Sequence, residues 1–487
     1  FKASSSRNIH GQHWVHGIGR DLEQEQFMEA DDLYSHIGII GTTGAGKGRL
    51  LEVLIAQAID RGDAVVIIDP KMDEGMRDRA YGELKRRGRE YDFLQFAPAY
   101  PGKSVRINPM QNYAAGSQLA TRTISMLPAS GRGDNFQAFA WKSINNVVQG
   151  MILAGDAPSI RAIRYLVEGN VEDLFVRAFE RQMRTIEDRF PHWKSDARES
   201  KVKKKNGSGE LWEHYIEYYT QTVSQYCSSE ALEGLIAVLT HPGDHYAKMI
   251  VTIAPQLTAL TTEDIGALLS PDYDDFEDNR KIVNLSQITR KGQVLYAALN
   301  ALGDSTTAGW IGALMLSDLI GVAANRYNYE NKDELPGVTV VVDELSSVAN
   351  EPFIDALSRA RGAGFSIVFG TQTIADLAVR YGDQDHAMQI LGNVNSMFLM
   401  RGKDKDTKMF AASKLGTTRI SQIRQMHSSS TKIESSVDFN RSQSVGLGST
   451  DGEDAVPAEV FDSLPDLHCF ATLHDSRRLK LRFPFSK

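Results

Sequence analysis

One stretch constrains this chain more than any other. Residues 37–49 read Ile-Gly-Ile-Ile-Gly-Thr-Thr-Gly-Ala-Gly-Lys-Gly-Arg: an apolar strand, a glycine-rich loop and a helix start. Gly41, Gly46 and Lys47 have the spacing G-x-x-x-x-G-K, in which backbone N–H groups curl around phosphate oxygens and the lysine reaches the β/γ-phosphates. The following helix points the positive end of its dipole at the same anion. Gly41, Thr42, Thr43, Gly44, Ala45, Gly46, Lys47, Gly48 and Arg49 are therefore the expected nucleotide-binding residues, with ATP as ligand. One position departs from the pattern. The residue after the lysine is normally Ser or Thr, whose hydroxyl holds Mg²⁺, and here it is Gly48.

The flanking sequence supports the loop. Tyr34–Ile40 reads as a buried strand, Leu50–Ile59 as a helix, and Asp63–Asp69 as a second apolar strand closing in an acid. Strand, loop, helix, strand is the βαβ unit of a parallel sheet and sets the class as α/β. Farther on, Val338–Val342 is a β-branched run ending in Asp343 and Glu344. Acids at the carboxyl end of a parallel strand lie in the ligand crevice. Asp343 is expected to hold Mg²⁺, and Glu344 to polarise the attacking water, since phosphoryl transfer depends on positioning and charge. A third strand, Ser366–Gly370, leads to Thr371 and Gln372, whose amide is expected to sense the γ-phosphate or orient water. Lys71, just past the second strand, is expected at the nucleotide or at a neighbouring subunit, with a plain surface lysine as the alternative.

With 54 basic and 62 acidic residues and a net charge of −8, the chain is no general polycation, so any nucleic-acid contact is local. Two cysteines, Cys227 and Cys469, exclude a disulfide framework. The most apolar helix, Ala308–Ala324, carries Asp318 mid-span and reads as core rather than as a membrane span. The chain starts at Phe1, which suggests a fragment or processed form with room for a membrane segment ahead of it.

Residues 1–30 read as a polar lead-in. His10, His13 and His16 lack a further ligand nearby, and a loop is the better reading than a metal site. Residues 31–135 and 270–487 are expected to form the nucleotide-binding domain. Residues 136–269, helical in period throughout, are expected as an inserted all-α domain. The acid pair lies about 300 positions after the loop, where a minimal P-loop core needs on the order of 100, so an insertion is required. Lys201–Gly209 reads as a basic linker, Lys281–Leu285 as the strand on which the sheet resumes, and 427–452 as a mobile Ser/Gly-rich loop. Cys469–Leu473 and Leu479–Phe483 are expected to finish the sheet.

Taken in order, Gly41–Lys47, Asp69-Pro70-Lys71, Ile107-Asn108-Pro109, Val342-Asp343-Glu344, Ala360-Arg361-Gly362-Ala363-Gly364, Gly370-Thr371-Gln372 and Ser463-Leu464-Pro465 resemble the type IV coupling proteins, the TraD/TraG-type ATPases of conjugation and type IV secretion. The resemblance spans residues 33–485. It implies a RecA-like P-loop NTPase domain with an all-α domain, homohexamers at the cytoplasmic face of the bacterial inner membrane, and partners among the secretion ATPases and inner-membrane components. It further implies that ATP turnover with Mg²⁺ passes relaxase-bound DNA, or protein substrates, to the secretion channel. By position it assigns phosphate binding to Gly41, Gly46 and Lys47, Mg²⁺ and water to Asp343 and Glu344, and γ-phosphate sensing to Gln372. Arg359, Arg361 and Arg401 are the candidates for an arginine finger acting across a subunit interface. Two other functions stay open: a coupling protein that recruits effector proteins with little DNA motor activity, and a non-hydrolysing scaffold, which Gly48 makes conceivable. A septal-type DNA translocase shares some motifs but offers no reason for the helical insertion.

Overall fold

Short, β-branched apolar runs form the centre of the molecule, because each buries both faces and is too short for a helix. The computed structural model describes residues 25–127, 135–200, 210–241, 250–382, 384–428 and 442–483. Its strands are β1 Ile37–Ile40, β2 Ala64–Asp69, β3 Phe93–Phe96, β4 Arg106–Ile107, β5 Ile282–Val283, β6 Val294–Ala298, β7 Val338–Val342, β8 Phe365–Thr371, β9 Ser396–Leu399, β10 Thr417–Ser428, β11 Ser442–Asp454, β12 His468–Thr472 and β13 Arg478–Arg482. Nine of them make one sheet in the order β13-β12-β9-β1-β8-β7-β2-β6-β3. Neighbours from β9 to β3 are parallel. At one edge β12 is reversed and pairs antiparallel with both β9 and β13. The register sets Ile40 against Thr371 and Val342 against Phe369, so the residues after β1, β7 and β8 emerge together at the carboxyl edge.

Alternation along the strands divides the core. Ile37, Ile39, Val65 and Ile67 pack with Leu51 and Ile55 of the helix Lys47–Arg61 and with Met76 and Leu84 of the helix Glu74–Arg86. Ile40, Val66 and Ile68 share the opposite cluster with the helix Ser305–Tyr329. The most apolar 18-residue stretch of that helix is 83% buried inside the protein, as expected of a core helix. No strand forms among the described residues between β4 and β5, where helices run from Gly116–Ile124 to Glu263–Leu269. Their core, including Ile144, Phe175 and Leu232, is continuous with the Ile68 face of the sheet.

Two expectations need correction. Lys281–Leu285 does not resume the main sheet: Ile282–Val283 pairs with Arg106–Ile107 in a separate two-stranded parallel sheet. Asn284 stops the strand there, because its side chain accepts from the Ser286 amide and caps the helix Leu285–Lys291. The segment 427–452 is not all loop: residues up to Ser428 and from Ser442 on belong to a long antiparallel hairpin. Backbone pairing there sustains strands that show little apolar alternation. Residues 429–441, the His10–His16 triplet and the linker 201–209 lie outside the described residues.

Candidate nucleotide site

The loop after β1 is fixed from three sides. The Gly41 amide donates to Thr371 O (3.2 Å), Thr42 to Arg401 O (2.8 Å), and the Leu467 amide to Ala45 O (3.0 Å). Gly46 has φ 108°, and a Cβ there would lie 2.7 Å from Leu467 Cδ2, so only glycine suits the position. The helix Lys47–Arg61 begins at once, with first-turn amides that have no partner within the helix. Lys47 is buried, and its ammonium folds back onto Gly41 O at 2.5 Å. Burial lowers its pKa against the opposing charge of Glu344.

The acid pair sits directly across. Gln372 links the two halves: Thr43 Oγ1 donates to Gln372 Oε1 (3.1 Å), and Gln372 Nε2 donates to Glu344 Oε2 (3.0 Å). Ser346 Oγ holds the other Glu344 oxygen at 3.0 Å. Lys71 Nζ lies 3.2 Å from both Asp343 Oδ2 and Glu344 Oε2. Burial opposes its charge, but the two carboxylates together raise its pKa above that of an ordinary lysine. Gly370 lets the strand ends close up, since a Cβ there would stand 2.4 Å from Asp343 O.

Sequence reasoning brought Lys47, Asp343, Glu344 and Gln372 to one place, and the structure joins them. It separates the arginines. Arg401 lies beside the phosphate loop of its own chain, its carbonyl on Thr42 and its guanidinium 2.7 Å from Asp466 Oδ1. Arg361, exposed in the turn Ala360–Ala363, and Arg359 precede β8, at the amino end of that strand. The seven residues of β8 put roughly 20 Å between them and Gln372. Neither therefore reaches Asp343 or Glu344 within the chain. Arg49 is held by the buried Glu52 at 2.8 Å.

Sequence reading missed the support under Lys71. Asp69, fully buried, accepts the amides of Lys71 (2.8 Å), Met72 (3.1 Å) and Asp73 (2.5 Å), and Tyr296 donates its hydroxyl to Asp69 at 2.6 Å. An acid closing a wholly apolar strand was the available signal.

Mg²⁺ keeps several waters and asks a protein for one or two carboxylates beside the phosphates. Asp343 and Glu344 qualify. Gly48, however, brings no hydroxyl, and Lys71 rests on the same carboxylates. The donor set thus fits Mg²⁺ with one protein ligand fewer than a P-loop normally offers.

The chain is similar to several known proteins. A family described as the TraM recognition site of TraD and TraG matches residues 337–466, and one described as the central domain of the helicase HerA matches 27–109. The type 4 coupling protein DotL of Legionella pneumophila is 21% identical over 454 residues, covering 88% of this chain and 55% of DotL. The chain thus spans about half the length of that curated relative. The plasmid coupling protein TrwB, solved with the non-hydrolysable ATP analogue ADPNP, gives a TM-score of 0.60 at 16% identity over 98% of this chain and 94% of TrwB. TrwB with ADP and Mg²⁺ gives 0.58 at 16% identity over 98% and 93%. At such identity the solved structures speak for the fold alone. The expected RecA-like α/β fold and the resemblance to type IV coupling proteins are both borne out.

Proposed function

We propose that this relative of the type IV coupling proteins is an ATPase that recruits relaxase-bound DNA, or protein substrates, and delivers them to a type IV secretion channel. The observation that carries the reading is the hydrogen-bonded line Thr43–Gln372–Glu344, which ties the phosphate loop to the acid that would orient water. Lys47 and the first-turn amides hold the phosphates of ATP. Glu344 positions the water, and Gln372 reports the γ-phosphate to it. Asp343 would hold Mg²⁺, which supplies neutralising charge on the phosphates. The helical segment 136–269, packed on the sheet through a continuous core, faces the substrate, and the assembly is a homohexamer at the cytoplasmic face of the inner membrane, in contact with secretion ATPases and inner-membrane components. Arg359 and Arg361, both exposed and far from their own site, are better placed than Arg401 to act on a neighbouring protomer; Arg401 serves its own.

The test is steady-state ATP hydrolysis with and without single- and double-stranded DNA across protein concentration, with Lys47→Ala as the blank. A rate that rises with both DNA and concentration supports an assembling DNA motor. Tight ATP binding without turnover under every condition sinks the motor. It would favour the second reading, a nucleotide-binding scaffold, for which Gly48 is the specific observation. Gly48→Ser then separates the causes: a large rate gain marks the missing hydroxyl as the defect.

A further inference from the structure

We propose that Lys71 is a resident cation of this nucleotide site: its ammonium group offsets charge on the Asp343–Glu344 pair and on the terminal phosphate, so that nucleotide binds with little dependence on Mg²⁺. The inference rests on the reading of 41–47 as a nucleotide loop and adds a residue that the loop pattern does not contain.

Three observations converge on it. The first is placement: one ammonium stands 3.2 Å from an oxygen of each carboxylate, while Gln372 shares the same Glu344 oxygen. The second is that Lys71 is held there by design of the turn rather than by a free side chain settling on the nearest charge. Asp69 gathers three successive amides of residues 71–73 and is itself held by Tyr296. Behind it, the Leu299 and Ala301 amides donate to Asp69 O (2.9 Å) and Pro70 O (2.7 Å). Met72 is pinned at φ 61°, a left-handed conformation that a non-glycine residue keeps only where its surroundings impose it. The third is the deficit on the other side. Gly48 has no hydroxyl, and the direction its Cβ would take leads to Asp73 Oδ2 at 3.4 Å, not to a donor. Among the described residues no group of three His, Cys, Asp or Glu side chains could hold a metal unaided. A weakened divalent site and a built-in cation on the same carboxylates compensate each other: Lys47 and Lys71 together set two positive charges against the acids and the phosphates.

The experiment is calorimetric titration of the whole chain with the non-hydrolysable analogue ADPNP, in excess EDTA and in excess Mg²⁺, so that turnover plays no part. For the unaltered chain the affinities in the two media are expected to differ by less than about threefold, and Lys71→Ala to lose about tenfold in EDTA, the worth of one charge-assisted contact, and to recover in Mg²⁺. Lys71→Arg, which keeps the charge, is expected to retain EDTA binding, and circular dichroism confirms that each variant is folded. A loss in EDTA of more than about threefold in the unaltered chain, or of less than about threefold in folded Lys71→Ala, overturns the inference. If binding is absent from the unaltered chain in both media, the nucleotide reading falls with it; if binding survives in Mg²⁺ alone, only the role of Lys71 falls.

Discussion

Two clusters in this protein set a basic side chain against buried carboxylate, and they differ in access to water. In one, Arg122 and Asp318 meet at 2.8 Å with side chains only 2% and 0% exposed. Asn112 Nδ2 fills the remaining capacity of Asp318 at 3.0 and 3.1 Å, and Arg122 also donates to Asn112 O at 2.7 Å and to Pro109 O. In the other, the carboxylates of Asp343 and Glu344 are nearly as buried, yet the Lys71 side chain that faces them is 44% exposed. In the sealed cluster Arg122 Nε is left without a partner, but no side-chain surface remains for a ligand to reach. It fastens the segment 109–122 to the helix Ser305–Tyr329, and so the helical region to the sheet. The open cluster keeps its acids mostly covered and its cation on the wet side, where phosphate can reach it. Similar charges therefore serve opposite ends: complete enclosure makes a structural clamp, and incomplete enclosure makes a site.

The sharpest way to break this comparison is Arg122→Met. It strands Asp318 as an uncompensated buried charge and is expected to cost about 3–5 kcal/mol in urea unfolding. Adding Asp318→Leu should return much of it, and a loss below about 1 kcal/mol for the single variant would show that the cluster is not sealed. A second enclosed group gives a pH signature. His36 is buried, with Nδ1 accepting from the Ile367 amide (3.2 Å) and Nε2 donating to Leu357 O (2.7 Å). Burial, with the charge of Arg361 adding to it, lowers its pKa from 6.5 to about 4. The unfolded chain therefore takes up the proton first: the stability is present above pH 6.5 and is lost as pH falls towards 4. Between pH 7 and 5 the loss is expected to be about 2 kcal/mol, and His36→Asn should remove that part of the slope. The smallest stability effect belongs to the open cluster. Lys71→Ala is expected to change unfolding free energy by less than about 1 kcal/mol, because the pair is solvent-screened. A larger loss would make Lys71 a structural residue and erase the contrast.

Much of the site was legible because its parts are local signals: glycines at fixed offsets before a helix, and acids closing β-branched runs. Asp343, Glu344 and Gln372 could be placed from strand polarity alone. The arginines could not, since which end of a strand a turn occupies depends on the topology that the sheet adopts; Arg361 and Arg401 looked alike in sequence and lie at different ends of the sheet. Lys71 could be put near the crevice but not onto the acids, because the Asp69–Tyr296 contact that aims it joins residues 227 apart. β5 was legible as a strand, but a two-residue pairing carries too little pattern to say which sheet it joins.

The strand order also says when this site can exist during synthesis. β1, which carries the phosphate loop, does not pair with β2; its neighbours are β8 and β9, made from residues 365–371 and 396–399. The loop's own hydrogen bonds run to Thr371, Arg401 and Leu467. On a ribosome that delivers the chain from the amino end, Gly41–Lys47 emerges among the first residues described and waits without walls while the helical region and most of the sheet are made. Nucleotide therefore cannot template early folding here. Its capture reports that the carboxyl-terminal strands have already closed around the loop.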